Sequence, residues 1–230
     1  MDSLQTKHSK ELFEFLIYTL GFSLFCAVAA DIEMFSAVKV RGVFGAIIKF
    51  LITEVPAWIW VIICTAVCIS FLNLLKSGLP DKGVPVAGVI ELLIIYEIIS
   101  CLLAVIPSDS ETMELIADLL NDVGTFLYIF LGFKLSRNYQ GGIRTLGIIF
   151  IVFSLISIGL EVWAESNAYD LDIVGAIILT AAAMFVTWFP WWYESKLLRA
   201  GAQPDDDEED EEDDEEDDEE DEDEEEPEKW

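Results

Sequence analysis

"PAWIWVIICTAVCISFLNLL" (Pro56–Leu75) runs for twenty residues without one charged side chain. At about 1.5 Å of rise per residue a helix over it spans roughly 30 Å, the hydrocarbon thickness of a bilayer. Five further stretches of 19 to 23 residues have the same character: Leu12–Ala30, Val84–Ile106, Met113–Leu135, Ile143–Trp163 and Ile173–Tyr193. The fold these stretches define is all-α: a polytopic helical membrane protein with six transmembrane helices. A soluble globular domain has no way to hide so many long apolar runs.

Composition supports the division. The 230 residues are 53% hydrophobic yet carry a formal charge of −29. Asp205–Glu226 is an unbroken run of 22 acids, Glu228 adds another and Lys229 returns one positive charge, so the body before this segment carries only about −7. The expected domains are a cytoplasmic N-terminal segment over 1–11, a transmembrane region over 12–199 and a disordered polyacidic tail over 200–230. "CAVAAD" (Cys26–Asp31) has the small residues of a signal cleavage site, but Glu11 and Glu14 stand where a basic n-region belongs, so the first span is read as retained.

Lysine and arginine set the orientation. With the N-terminus inside, nine cationic residues fall on the cytoplasmic side (among them Lys76, Lys134, Arg137 and Arg199) and three, Lys39, Arg41 and Lys49, fall outside. Both termini are therefore expected in the cytoplasm, at a plasma or bacterial inner membrane. The outer cations have a local reason. Val40, Val43, Phe44, Ile47, Ile48 and Leu51 form one helical stripe, so residues 37–54 are read as an amphipathic helix lying in the outer interface. "WFPWWY" (Trp188–Tyr193) reads as an aromatic belt at the inner face.

The third and fourth spans carry acids at membrane depth. Glu97 lies ten residues before Pro107 and Asp122 ten residues after Thr112, so an antiparallel hairpin brings them level. Asp118 and Asn121 lie beside Asp122, and Glu91 lies deeper, level with Tyr128. A charged side chain at mid-span costs about 2.5–3.5 kcal/mol on insertion scales. The only Lys and Arg within the six expected spans, Lys134 and Arg144, lie one residue from the inner ends of the fourth and fifth, too far from mid-span to offset it, which leaves a proton, a bound cation or water. Glu97, Asp122, Asp118 and Asn121 are accordingly the candidate cation or proton site, with Glu91 in second place. The competing bland reading makes Met113–Asp122 an outer amphipathic segment with solvated acids.

Enzyme signatures are missing. The single histidine, His8, leaves no set of ligands for a histidine metal site and no base for a triad, and there is no P-loop, G-x-G-x-x-G, G-x-S-x-G or H-E-x-x-H. Cys26, Cys64, Cys68 and Cys101 all sit in apolar runs and read as packing residues. No catalytic residue, resident metal or cofactor is called for.

The tail cannot bury anything, and its self-repulsion extends it. The expected partners are the lipid bilayer and, at the tail, a basic cytoplasmic protein or divalent cations; nucleic acid is not among them. Ala176, Thr180, Ala183 and Thr187 form a small-residue face on the sixth span, through which an oligomer could pack. The leading functional expectation is a non-enzymatic accessory or scaffold component acting through the tail. The alternative is a small proton- or cation-coupled transporter or channel using the intramembrane carboxylates.

Overall fold

Six long helices make up most of the described chain: α1 (Lys10–Asp31), α2 (Ala57–Gly78), α3 (Val86–Val105), α4 (Glu111–Asn138), α5 (Gly142–Asn167) and α6 (Ile173–Gly201). The computed structural model describes residues 4–31, 50, 54–81, 86–106, 111–167 and 173–202. All six helices contain a stretch long and apolar enough to cross a membrane. The expected interfacial helix over 37–54 and the tail beyond residue 202 lie outside the described residues, apart from positions 50 and 54.

The helix ends follow from local chemistry. Pro56 takes the N-cap position of α2 in an extended conformation, and its carbonyl accepts the first bond, from the Ile59 amide, at 3.0 Å. At the other end Leu79 is extended because Pro80 follows it and disfavours helical backbone in the preceding residue. Between α4 and α5 the chain reverses at Gly141, whose φ of 65° is left-handed backbone that a side chain would strain.

Each helix packs on the next, α6 returns to α1, and α2 also touches α6. The result is an up-and-down ring in which the N-termini of α1, α3 and α5 share one end with the C-termini of the other three. The N-terminal segment lies across that end: the Gln5 amide donates to the Gly78 carbonyl at 3.0 Å, Thr6 bridges to Ala202, and Leu4 is buried. Two ion pairs tie the same end together, Lys76–Glu91 at 2.7 Å and Arg199–Glu14 at 2.8 Å.

The core is not spread evenly along the bundle. Phe13, Phe71, Leu75, Ile90, Leu131, Leu135, Ile143, Leu146 and Leu198 are fully buried, and each belongs to the half of its helix nearest the terminus-bearing end. Toward the opposite end the main core gives way to a small cluster of Cys26, Ala29 and Trp60 between α1 and α2. Large apolar side chains are exposed along the whole length, Phe15, Tyr18 and Phe133 nearer the termini and Leu102, Leu115, Leu119 and Ile178 toward the other end, Leu115 by 69%. Covering a large apolar side chain is worth about 1.5–3 kcal/mol, so surfaces of this kind call for lipid around them. Buried side chains are thus dense at the end carrying the termini and sparse at the other, the splayed end.

Where α4 and α5 meet, the backbones approach through Gly132 and Gly147. A Cβ on either would stand 2.5–2.6 Å from the other's carbonyl oxygen. On the small-residue face of α6, Ala176, Ala183 and Thr187 are exposed, so that face makes no close crossing within the bundle. α6 also outruns its expected end at Tyr193, continuing to Gly201 with Pro190 inside it. As a result Trp191 is not part of an aromatic belt at the bilayer edge. It is buried, with ring centroids 5.6–6.0 Å from those of Phe71, Tyr128 and Phe150.

Candidate intramembrane site

The splayed helices enclose a cavity of about 280 Å³ that reaches down to the close-packed end. α2 contributes Cys64, Thr65 and Cys68; α3 contributes Tyr96 and Glu97; α4 contributes Asn121, Thr125 and Tyr128. Ser154 and Ser157 of α5 and Thr187, Pro190 and Trp191 of α6 complete the polar and aromatic wall. The spacing explains the composition. Asn121, Thr125 and Tyr128 recur at i, i+4 and i+7, which places them on one stripe of α4.

Glu97 is the carboxyl of this cavity. It is partly buried, and its Oε1 accepts a hydrogen bond from the Tyr128 hydroxyl at 2.5 Å. Asn121 lies farther toward the splayed end and donates its amide to both oxygens of Glu161, at 3.3 and 3.5 Å. Pro190 adds a further acceptor. Having no N–H, it leaves the Val186 carbonyl without its helical donor, and both residues line the cavity.

The sequence grouping is thus divided. Glu97 and Asn121 line one cavity, whereas Asp118 and Asp122 are exposed and do not line it. Between Thr112 and Val123 every described side chain of α4 is exposed except Leu120, which is partly covered. Counting residues from a hairpin turn fixes approximate depth but not azimuth, and Asp122 lies one position, about 100° of helix, away from the stripe that faces inward. Glu91 does not reach Tyr128 either; it pairs with Lys76, which falls one residue beyond the expected end of the second span.

Sequence reasoning missed the Tyr128 hydroxyl and the hydroxyl-rich wall, because single Ser, Thr and Tyr residues in apolar helices give no pattern until the helices are assembled. The cysteines are all free. Cys64 and Cys68 line the cavity, and the Cys64 thiol meets the Ser23 hydroxyl of α1. Among the described residues, no three His, Cys, Asp or Glu side chains gather in a way that could hold a metal ion. What the cavity offers is a single carboxyl, one phenol donor and a ring of neutral hydroxyls. Such a set can take up and release a proton, or hold one small monovalent cation, but supplies no second carboxylate to balance a dication.

Fold and site together define a class: an all-helical chain with six helices long and apolar enough to cross a membrane, the architecture of a multi-pass membrane protein. The chain matches no protein-family model, and neither a curated protein nor a solved structure aligns with it.

Proposed function

We propose that the chain is a small, non-enzymatic, proton-coupled membrane carrier in which Glu97 takes up and releases the proton. The observation that carries this reading is the Glu97 carboxyl on the wall of an intramembrane cavity, held by the Tyr128 hydroxyl at 2.5 Å. Carboxyls at membrane depth are expensive, and those facing an internal cavity commonly mark ion or proton pathways. With Asp118 and Asp122 off the cavity, a proton fits the remaining donors better than a hard dication does. Nine cationic residues against three support cytoplasmic termini, so the splayed end would open to the outside of a plasma or bacterial inner membrane.

The test is flux. Vesicles reconstituted with the full-length protein and loaded with a pH dye should dissipate an imposed pH gradient faster than empty ones. Glu97→Gln, which keeps the shape and the hydrogen bond, should remove that difference. Equal rates for native and empty vesicles would end the reading.

A second reading is carried by the tail, where 23 acids fall between Asp205 and Glu228. An accessory or scaffold role would have it engage a basic cytoplasmic protein, or divalent cations, through contacts screened over about 8 Å at physiological salt. Pull-downs with the full chain and with a chain lacking Asp205–Trp230, at low and high salt, test it. Identical partner sets would leave the tail with a solvating role only.

A further inference from the structure

Glu194 has no role in the site described above, yet it is the most deeply enclosed acid in the described chain. It is 0% exposed, and neither of its carboxyl oxygens has a hydrogen-bond partner. It follows Trp191 by three residues, so it lies one helical turn nearer the terminus-bearing end on the same side of α6. Trp191 lines the cavity and is held among Phe71, Tyr128 and Phe150. It forms the floor on this face of α6, with Glu194 one turn beneath it.

The cations of this end have contacts of their own: Arg199 directs its Nη1 to Glu14 at 2.8 Å, although its buried Nε has no hydrogen-bond partner, Lys196 lies over the Trp192 ring at 5.7 Å, and Lys134 lies over Phe130 at 5.2 Å. Lys76 pairs with Glu91 on α3. From α2, the buried Cys68 thiol, which lines the cavity, lies within electrostatic range of both Glu194 and Glu97. Burying a carboxylate with neither countercharge nor hydrogen bond costs several kcal/mol, so the position is tenable only when something neutralises it. Trp191, one turn back along α6, and Leu198, one turn on, both belong to the main apolar core.

We propose that Glu194 is a second proton-binding site, set in the closed end of the bundle on the far side of Trp191 from Glu97. Resting on the reading of Glu97 as the cavity's proton site, this assigns each carboxyl to one face of the membrane. Glu97 exchanges its proton through the splayed end, and Glu194 exchanges through the terminus-bearing end when that end loosens. A proton that leaves Glu97 and arrives on Glu194 conserves the charge of the bundle and needs no other reactant. Trp191 separates the two sites, and Pro190, one residue away in the helix, interrupts the backbone ladder where a small bend would shift that ring.

The proposal is tested on the full-length protein by infrared difference spectroscopy in lipid nanodiscs and by flux in vesicles. Subtracting the Glu194→Gln spectrum from the native one should leave a carboxylic-acid carbonyl band that shifts in D2O. The same variant should lower pH-driven flux to the leak of protein-free vesicles while its thermal unfolding midpoint holds. If Glu194→Gln does not fold, Glu194→Asp replaces it and should retain both the band and a slower flux. A difference band in the carboxylate region, no band at all, or native flux from Glu194→Gln would overturn the proposal. A carboxylic-acid band from Glu194 in a protein without any Glu97-dependent flux would instead uphold the second site and overturn the transport reading.

Discussion

The contact between Glu97 and Tyr128 is the smallest unit on which the site depends. The phenol donates to a carboxyl that would otherwise be unsatisfied among helices, and hydrogen bonds between membrane helices contribute about 0.6 kcal/mol on average and up to roughly 1.7. A double-mutant cycle of Glu97→Ala and Tyr128→Phe, each of which removes the hydrogen bond, read by unfolding in detergent or bicelles, should therefore give a coupling of about 0.5–2 kcal/mol. Additive effects would mean that the two side chains do not meet. Asp122→Asn serves as the counterpart: Asp122 is exposed, so its removal should leave stability within about 0.5 kcal/mol of native. Legibility at this scale was partial. Glu97 was evident because an acid in "IELLIIYEIISC" violates its surroundings, whereas Tyr128 is an ordinary residue for a membrane helix. Glu194 was hidden for another reason. In "WWYESK" it reads as the polar edge that follows a span, and only the unexpected length of α6 carries it into the core.

At the scale of elements, α4 and α5 depend on contact without side chains. Gly132→Ala or Gly147→Ala would place a Cβ within 2.6 Å of the opposing carbonyl oxygen, so the helices must separate. Such overpacking costs typically about 1–3 kcal/mol. Gly159→Ala on the same helix meets nothing within 4 Å and should be neutral or stabilising by up to about 1 kcal/mol, the helix-propensity difference. Unfolding midpoints for the three variants check the contrast; a Gly132→Ala protein as stable as Gly159→Ala would remove the close crossing. All six spans could be placed from composition because length and apolarity suffice for that. The positions at which helices touch could not. Facing lipid and facing protein both favour apolar residues, so periodicity loses the contrast that marks a soluble helix's buried face. The tight crossing of α4 and α5 forms where two single glycines meet, and neither stands out in its sequence.

For the whole molecule, the uneven distribution of buried residues is what the proposed transport reading rests on. In that reading the close-packed half keeps Glu194 from water, and the opposite half gives access to Glu97. The termini share one end, with Thr6 bridged to Ala202, so reporters fused after Asn138 and Arg199 should report the same side of the membrane. Reporters on opposite sides would contradict the up-and-down ring. Deleting Asp205–Trp230 should leave the unfolding midpoint unchanged, since Asp205–Glu226 brings no apolar side chain to bury; a large drop would show that the tail packs on the bundle. The proposal that the cavity opens only at the end away from the termini is tested most directly by one-sided labelling. In a protein whose four cysteines are replaced, Thr125→Cys faces the cavity, and Leu135→Cys faces the closed core. A membrane-impermeant maleimide applied to sealed vesicles of known orientation should label Thr125→Cys from the side opposite the termini and not from the side that carries them, and should leave Leu135→Cys unlabelled from either. Labelling of Thr125→Cys from the terminus-bearing side, or of Leu135→Cys as fast as Thr125→Cys, would contradict the account.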